Sequence, residues 1–205
     1  MSRKDNQCTS DRSRPLGTGT ACGRPCFYTI GHSTRSVGEL VALLREAGCD
    51  LVADVRTVPR SRTNPQFNAD TLPERLAEAG IEYRHLARLG GLRGRRKGAA
   101  QSPNGFWQNA SFRNYADYAM TPEFRDGLAE LRALGGERTC AIMCAEAVWW
   151  RCHRRIIADY LLSEGQEVRH ILGAGHIDPA TMTPGARPEP DGTILYPPAA
   201  TGEKG

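Results

Sequence analysis

Short apolar runs alternate with amphipathic stretches along most of the chain. The runs are too short for helices and are bounded by glycine or charged residues, so they predict about five buried β-strands. These strands are expected at residues 26–30, 51–55, 81–86, 139–143 and 168–172. The stretches between them carry apolar residues at helical spacing or begin with helix N-terminal signals. The alternation predicts an α/β fold with a mainly parallel sheet and helices on both faces, in a Rossmann-like single domain.

Local signals set the expected limits of several elements. The S-x-x-E pattern at residues 36–39 is that of a capping box, which predicts a helix over residues 36–47. Thr-Pro-Glu at residues 121–123 predicts the start of another helix, and the glycine pair at residues 135–136 is expected to end it. Residues 194–196 form a short apolar island in a segment rich in proline and glycine, and we expect them to add an edge strand.

The composition is that of one globular domain with polar ends. The chain has 205 residues, of which 40% are hydrophobic and 24% charged, so it can bury a core without a disulfide or a metal. Residues 1–25 contain almost no large apolar side chain and are expected to form a disordered tail. The α/β domain is expected to span residues 26–198, and residues 199–205 are expected to be a C-terminal tail.

Cysteine usage and hydropathy indicate a cellular compartment. The seven cysteines are odd in number and follow no repeated spacing, and no cationic leader precedes an apolar stretch. We therefore expect neither secretion nor a disulfide framework, and the cytoplasm is the expected location. No window approaches the ~18 uninterrupted apolar residues of a bilayer span, so no membrane partner is expected.

Arginine accounts for 24 of the 27 basic residues, and the formal net charge is +4. Guanidinium groups bind phosphate and carboxylate in bidentate geometry, although a GC-rich genome also enriches a protein in arginine. Residues 84–113 carry seven basic side chains and no acidic one. This basic segment is predicted to be either a solvated loop or an anion-binding lid. Together with Phe106, Trp107 and Trp149 as stacking groups, it also supports an alternative function, a nucleic-acid-binding module.

Polar and reactive residues follow three of the predicted strands. In an open α/β sheet, ligands bind outside the carboxyl ends of the strands. The first strand is followed by His32, Ser33, Thr34 and Arg35, the second by Asp54 and Arg56, and the fourth by Cys144, Glu146, Cys152, His153 and Arg154. The loops at the opposite edge are bare turns. The sequence therefore predicts a functional site at the carboxyl edge of the sheet.

The candidate residues suggest thiol and acid–base chemistry on an anion. Cys152 precedes a predicted helix and has basic neighbours, an environment that lowers the pKa of a thiol and favours a nucleophilic thiolate. Glu146, His32 and Asp54 complete the candidate catalytic set as possible acids or bases. The candidate ligand-binding residues are Ser33, Thr34, Arg35, Arg56, Arg62, Cys144, His153 and Arg154.

Several of these residues have equally good structural interpretations. Asp54 and Arg56 could form an ion pair that only stabilises the fold, and His32 could hydrogen-bond a backbone carbonyl. Cys144 could be a small buried residue at the end of a core strand. Glu146 could form a salt bridge instead of acting as an acid or base.

Common cofactor and metal signatures are absent from the chain. It contains no G-x-G-x-x-G, no G-x-x-x-x-G-K-[ST] and no C-x-x-C. No cofactor is therefore assigned. The spacing of cysteine and histidine matches no common zinc module, so no metal site is predicted. A thiol-redox or metal-binding role through Cys144 and Cys152 remains an alternative.

Five motifs occur in a fixed order between residues 27 and 196. They are Gly31-His32-Ser33, Asp54-Val55-Arg56 with Pro59-Arg60-Ser61, Asn64-Pro65-Gln66-Phe67-Asn68, Leu89-Gly90-Gly91, and Cys144-Ala145-Glu146 followed after five residues by Cys152-His153-Arg154. Together they resemble the domain of unknown function 488 family, DUF488, and C-A-E-x5-C-H-R is the most specific of them. The resemblance implies a cytosolic α/β domain of prokaryotic origin, but no substrate.

The first functional hypothesis is an enzyme, or a descendant of one, with a pocket for a small anionic or nucleotide-like ligand. The alternatives are the nucleic-acid-binding module and the thiol-redox or metal-binding protein. The sequence predicts no oligomeric state.

Overall fold

Six strands form the central sheet of the computed structural model, which describes residues 26–94 and 101–198. The strands are β1 (Cys26–Gly31), β2 (Leu51–Asp54), β3 (Glu82–His85), β4 (Cys140–Cys144), β5 (Glu167–Gly173) and β6 (His176–Pro179). Their order is β3-β2-β4-β1-β5-β6, and all neighbours are parallel except β5 and β6. The predicted mainly parallel, Rossmann-like α/β fold is confirmed. The tails expected at residues 1–25 and 199–205 lie outside the described residues.

Five helices cover the two faces of the sheet. They are α1 (Val37–Glu46), α2 (Leu72–Ala77), α3 (Ala110–Ala119), α4 (Pro122–Glu137) and α5 (Arg154–Ser163). Successive residues of a strand point to opposite faces, so the buried strand residues divide between two cores. One core joins the sheet to α1 and α2, and the other joins it to α3, α4 and α5. Within the described ranges, no helix combines the length and apolar character needed to cross a membrane.

The C-terminal part of the chain differs from the prediction. The extra strand of the main sheet is β6, which follows β5 through a tight turn at Gly175, where φ is +67°. Residues 194–196 do not extend the sheet, so that prediction was wrong. Instead β8 (Ile194–Leu195) pairs with β7 (Arg187–Pro188) in a separate ribbon. The apolar side chains of this island face the α5 core, where Tyr196 donates a 2.9 Å hydrogen bond to Asp159.

Helix α4 continues through the glycine pair that was expected to end it. It extends to Glu137, and Gly135 is buried within it. A Cβ atom at Gly135 would lie 2.2 Å from two carbons of the Phe27 ring, whereas nothing lies within 4 Å of a Cβ at Gly136. Gly135 thus lets the helix approach β1 closely.

The two glycines should respond to alanine in opposite ways. Gly135→Ala forces the Phe27 ring to move in a closely packed core and should destabilise the protein by about 1–3 kcal/mol. Gly136→Ala only improves helix propensity on an exposed face and should stabilise it by up to about 1 kcal/mol. Urea unfolding of both variants measures the difference. Equal effects of the two substitutions would contradict the packing role.

The strand order brings distant parts of the sequence to one edge of the sheet. Strand β4 lies between β1 and β2, and all three run in the same direction. Gly31 pairs in register with Cys144, and Asp54 pairs with Met143. The residues that follow β1, β2 and β4 therefore leave the sheet at the same level.

Candidate functional site

A cavity of about 610 Å³ opens at the carboxyl edge of the sheet. Its walls come from the loops after β1, β2 and β4, the segment after β3, and α3. The lining residues with polar or reactive side chains are His32, Ser33, Thr34, Arg56, Thr57, Arg60, Ser61, Asn64, Ser111, Tyr115, Cys144, Glu146, Arg151, Cys152 and His153. A volume of this size accommodates a small molecule up to the size of a nucleotide.

The loops after β1 and β4 are held in direct contact. A Cβ atom at Gly31 would lie 1.9 Å from the carbonyl oxygen of Glu146, so only glycine allows the two loops to approach this closely. The pairing continues past the strands, because His32 N–H donates to Cys144 O and Ser33 N–H donates to Ala145 O, both at 2.9 Å. Ser33 has a φ of +48°, a left-handed conformation that is unusual for a residue with a side chain.

A buried ion pair forms the base of the β2 side of the cavity. Arg56 binds Asp54 through two nitrogens, with Nε–Oδ1 and Nη2–Oδ2 distances of 2.9 and 2.5 Å. Asp54 also accepts a 2.7 Å hydrogen bond from Tyr83, and Arg56 donates a 2.7 Å hydrogen bond to the carbonyl of Phe67. Asp54 is fully buried and does not line the cavity. The structure therefore supports the structural interpretation of Asp54 and offers no contact through which it would reach a ligand.

His32 links this ion pair to the β1 loop as a neutral imidazole. Its Nδ1 donates to the carbonyl of Ser33 at 2.9 Å, so Nε2 carries the lone pair that accepts from Arg56 at 3.2 Å. The ring stacks on Phe67 with a centroid distance of 4.1 Å. Burial lowers the pKa of His32 to about 4, and the Arg56 charge acts in the same direction. With both ring nitrogens hydrogen-bonded, His32 orients the wall of the cavity instead of presenting a free base to it.

Two cysteines and a histidine meet at the bottom of the cavity. Cys152 Sγ and Cys144 Sγ lie 3.6 and 3.9 Å from Nδ1 of His153. The three atoms lie within 4.8 Å of one another, and both thiol side chains are buried. All five cysteines of the described chain are free, including this pair.

The His153 ring is held in one position. Its Nε2 donates to the carbonyl of Val55 at 2.9 Å, and its Nδ1 faces the two sulfurs. Tyr115 packs against the ring edge-on, with centroids 5.0 Å apart. A Cβ at Gly91 would lie 2.4 Å from Nδ1 and 2.7–2.8 Å from its two ring neighbours, so Gly91 covers the face of the ring.

Arg154 is a buried cation whose anionic partner is Cys152. The residue is 1% exposed, and no carboxylate of the described chain forms an ion pair with it. Its guanidinium donates to Cys152 Sγ at 3.3 Å and to the carbonyl of Glu146 at 2.6 Å. A buried charge without a counter-ion costs several kcal/mol, so a thiolate at Cys152 is the form that this position favours.

The two thiols divide their protons unequally. The hydrogen bond from Cys144 holds the pKa of Cys152 well below its usual range, and His153 and Arg154 act in the same direction. The pKa of Cys144 is raised, first by the same hydrogen bond and then by burial. Of the two sulfurs, Cys152 is therefore the one that favours the thiolate form, since it also accepts from Arg154.

Two arginines that the sequence did not single out as ligand-binding residues line the cavity with free guanidinium groups. Arg60 follows β2 and Arg151 precedes Cys152, and both are exposed. Neither forms an ion pair with any residue in the described part of the chain. Glu146 is also exposed on the cavity wall. Sequence alone could not identify these arginines, because their lack of a carboxylate partner is a tertiary property.

Other predicted ligand-binding residues are occupied or lie elsewhere. Arg35 donates to the backbone carbonyls of Gly31 and Leu172, and it does not line the cavity. Arg62 is exposed outside the cavity wall. Ser33 and Thr34 line the cavity with their side chains, whereas the Ser33 N–H is already used by Ala145.

The described basic residues of the 84–113 segment have partners within the chain. Arg84 pairs with Glu82, Arg88 pairs with Glu130, Arg93 lies over the Tyr118 ring, and Arg113 donates to the Trp107 carbonyl. Residues 95–97 lie outside the described ranges. Trp107 is 6% exposed, and Trp149 stacks on His170 with centroids 4.2 Å apart. Trp107 is therefore not accessible to a nucleic acid base, and the stacked His170 ring occupies one face of Trp149.

His170 gives the fold a measurable pH dependence. It lies on β5, where its Nδ1 hydrogen-bonds Thr29 Oγ1 at 2.7 Å. Burial lowers the pKa of His170 to about 4, the charge of Arg154 adds to this effect, and Asp178 opposes it.

As the pH falls, the unfolded chain takes up a proton near pH 6.5, before the folded protein does. The stability that neutral His170 contributes is therefore present above pH 6.5 and is lost as the pH falls toward 4, by up to about 1.4 kcal/mol per pH unit. Buried His32, whose pKa is also lowered to about 4, contributes in the same way. Urea unfolding between pH 7 and pH 5 should therefore show the combined slope of both histidines, and His170→Gln should remove the contribution of one proton. An unchanged slope in the variant would contradict a neutral His170.

A comparison with protein-family models matches residues 36–161 to the family described as Domain of unknown function DUF488. The match spans α1 to α5 and includes the β2 and β4 motifs. No curated protein matches the chain, and no solved structure does.

Proposed function

The chain belongs to the DUF488 family, and on that premise we propose that it is an enzyme that binds a small anionic ligand in the cavity and acts on it with Cys144, Cys152 and His153. The family description assigns no reaction, so the proposal depends on the geometry of the cavity. The observation that carries it is the pairing of free arginines with a buried sulfur–imidazole cluster in one cavity.

The charges on the cavity wall favour an anion. Arg56 is neutralised by Asp54, so the uncompensated charges among the described lining residues are Arg60, Arg151 and Glu146. Two cations and one anion leave a net positive wall, which attracts and orients an anionic group. Arginine also offers the planar, bidentate donors that suit phosphate or carboxylate.

The depths at which the arginines and the cysteines lie in the cavity support chemistry as well as binding. The arginines are exposed, whereas Cys144 and Cys152 are 9% and 4% exposed. An anionic ligand held at the mouth would extend toward the sulfurs in a region with little water, where electrostatic interactions are strong. Glu146 lines the same cavity and is its candidate proton acceptor.

Anion titrations test the proposal. Inorganic phosphate, pyrophosphate, a nucleoside monophosphate and a dicarboxylate are titrated into the full chain by calorimetry at fixed low ionic strength. We expect at least one to bind, and Arg60→Ala or Arg151→Ala should weaken it roughly tenfold each, because a charge-assisted hydrogen bond is worth about 1.5–3 kcal/mol.

The matched control is the double variant Arg132→Ala/Arg169→Ala. It removes the same charge as the Arg60→Ala/Arg151→Ala double variant, but from exposed ion pairs elsewhere on the surface. The control should bind like the parent protein. If no anion of the panel binds, or if both double variants lose affinity equally, the proposal is wrong.

A further inference from the structure

We infer that Cys144, Cys152 and His153 bind a zinc ion and leave its fourth coordination position open to the cavity. The metal itself is inferred from the cluster alone, whereas the identity of its fourth ligand rests on the proposed anion-binding function. The inference goes beyond the sequence, because the C-x7-C-H spacing matches no common zinc module.

The distances within the cluster are those of a tetrahedral site. Zinc lies about 2.3 Å from a cysteine sulfur and about 2.0–2.1 Å from a histidine nitrogen, so tetrahedral angles place sulfur and nitrogen about 3.6 Å apart. Cys152 Sγ and Cys144 Sγ lie 3.6 and 3.9 Å from His153 Nδ1. The two sulfur–nitrogen distances therefore agree with this value to within a few tenths of an ångström, and all three donor atoms lie within 4.8 Å of one another.

The groups around the cluster orient these donors for a metal. Histidine ligands usually donate their second ring N–H to a carbonyl or carboxylate, and His153 Nε2 donates to the Val55 carbonyl. This contact directs Nδ1 toward the sulfurs. Arg154 donates to Cys152 Sγ at 3.3 Å, which is the kind of outer contact that stabilises a metal-bound thiolate.

The donor set selects the ion. Two thiolates and an imidazole are soft or borderline ligands, which suit zinc and exclude magnesium or calcium as preferred ions. The described chain contributes only three ligands, and all three line the cavity. Three protein ligands with one open position are typical of catalytic zinc sites.

The charge balance predicts an anionic fourth ligand. Zinc with two thiolates and a neutral imidazole has no net charge. Buried Arg154 then adds one positive charge beside the centre. A hydroxide or an oxygen of the bound anion in the open position would balance it, which agrees with the free arginines at the cavity mouth.

Metal analysis of the full chain tests the site. We expect one equivalent of zinc per chain after reduction and reloading with zinc chloride, and loss of that equivalent in Cys144→Ser, Cys152→Ser and His153→Gln. The control Cys8→Ser/Cys22→Ser/Cys26→Ser removes the cysteines at and before the start of β1 and should keep the zinc. Cobalt in place of zinc should give a thiolate charge-transfer band that disappears in each single cysteine variant.

A measurement on the parent protein tests the zinc site even if the variants do not fold. Zinc in roughly thousandfold excess over its dissociation constant should raise the thermal midpoint of chelator-treated protein by roughly 10 °C. Absence of this shift together with absence of bound zinc overturns the inference. Retention of zinc in the Cys144→Ser/Cys152→Ser variant also overturns the inference. So does a protein that forms a Cys144–Cys152 disulfide and takes up no zinc after that disulfide is reduced.

The zinc site and the anion site can fail separately. Pyrophosphate titration of chelator-treated protein measures the contribution of Arg60 and Arg151 without the metal. Binding there with no zinc uptake would refute only the metal, and zinc uptake without binding of any anion of the panel would refute only the proposed function.

Discussion

Replacing Asp54 by asparagine is expected to lower the free energy of unfolding by about 3–5 kcal/mol. The substitution keeps the size of the side chain but leaves the buried guanidinium of Arg56 without its counter-ion. Tyr83 and His32 lose their positions as well, because both contact this ion pair. For a chain of this length, the change corresponds to a fall of about 10 °C in the thermal midpoint.

An exposed ion pair provides the control for Asp54→Asn. Glu167 pairs with Arg169 on the surface, and both side chains are about half exposed. Glu167→Gln should change stability by no more than about 0.5 kcal/mol, because solvent screens such a pair. Urea unfolding of both variants at pH 7 makes the comparison. Similar small effects at the two positions would show that the Asp54–Arg56 pair does not organise the cavity.

Replacing Arg154 by methionine is expected to cost a similar amount, about 3–5 kcal/mol, in reduced and chelator-treated protein. The guanidinium donates to the Cys152 sulfur, and it also binds the Glu146 carbonyl. Methionine fills part of the space but leaves a buried thiolate and a buried carbonyl unpaired.

A double-mutant cycle separates the ion pair from simple packing. Cys152→Ala alone leaves Arg154 without an anion, whereas the double variant removes both charges. The double variant should therefore be more stable than Arg154→Met alone, with a coupling well above 0.5 kcal/mol. If the losses of unfolding free energy in the two single variants add up to the loss in the double variant within about 0.5 kcal/mol, Arg154 and Cys152 do not form an ion pair.

Much of the fold could be predicted because local patterns and the tertiary structure agree. The capping box at Ser36 and Glu39 forms as expected, with the Ser36 hydroxyl accepting from the Glu39 N–H and the Glu39 carboxylate accepting from the Ser36 N–H. The short apolar segments form strands as predicted, because their side chains pack against helices on both faces of the sheet. β6 was not predicted because the sequence His-Ile-Asp-Pro has no apolar run, and its position depends on pairing with β5.

The composition of the site was harder to predict than its location. Alternating strands and helices place polar residues at the strand ends, but they do not reveal that β4 lies between β1 and β2. Nor do they show which arginines have partners. Arg35 and Arg154 are engaged by carbonyl groups and a sulfur, whereas Arg60 and Arg151 form no ion pair with a described residue. This difference depends on contacts between residues far apart in the sequence.

The central claim is that an anion binds in the same cavity that exposes the Cys152 sulfur. Cys152 and Cys49 are each 4% exposed, but only Cys152 of the two lines the cavity. Alkylation with iodoacetamide at one fixed pH, in reduced and chelator-treated protein, therefore compares two thiols of equal exposure. Peptide mass spectrometry identifies the modified residue.

We predict that Cys152 is alkylated well before Cys49, that the anion of the panel that binds most tightly slows its modification, and that the Arg60→Ala/Arg151→Ala variant loses this protection. Equal reaction of the two thiols, or a Cys152 rate that this anion leaves unchanged in the parent protein, would contradict the account.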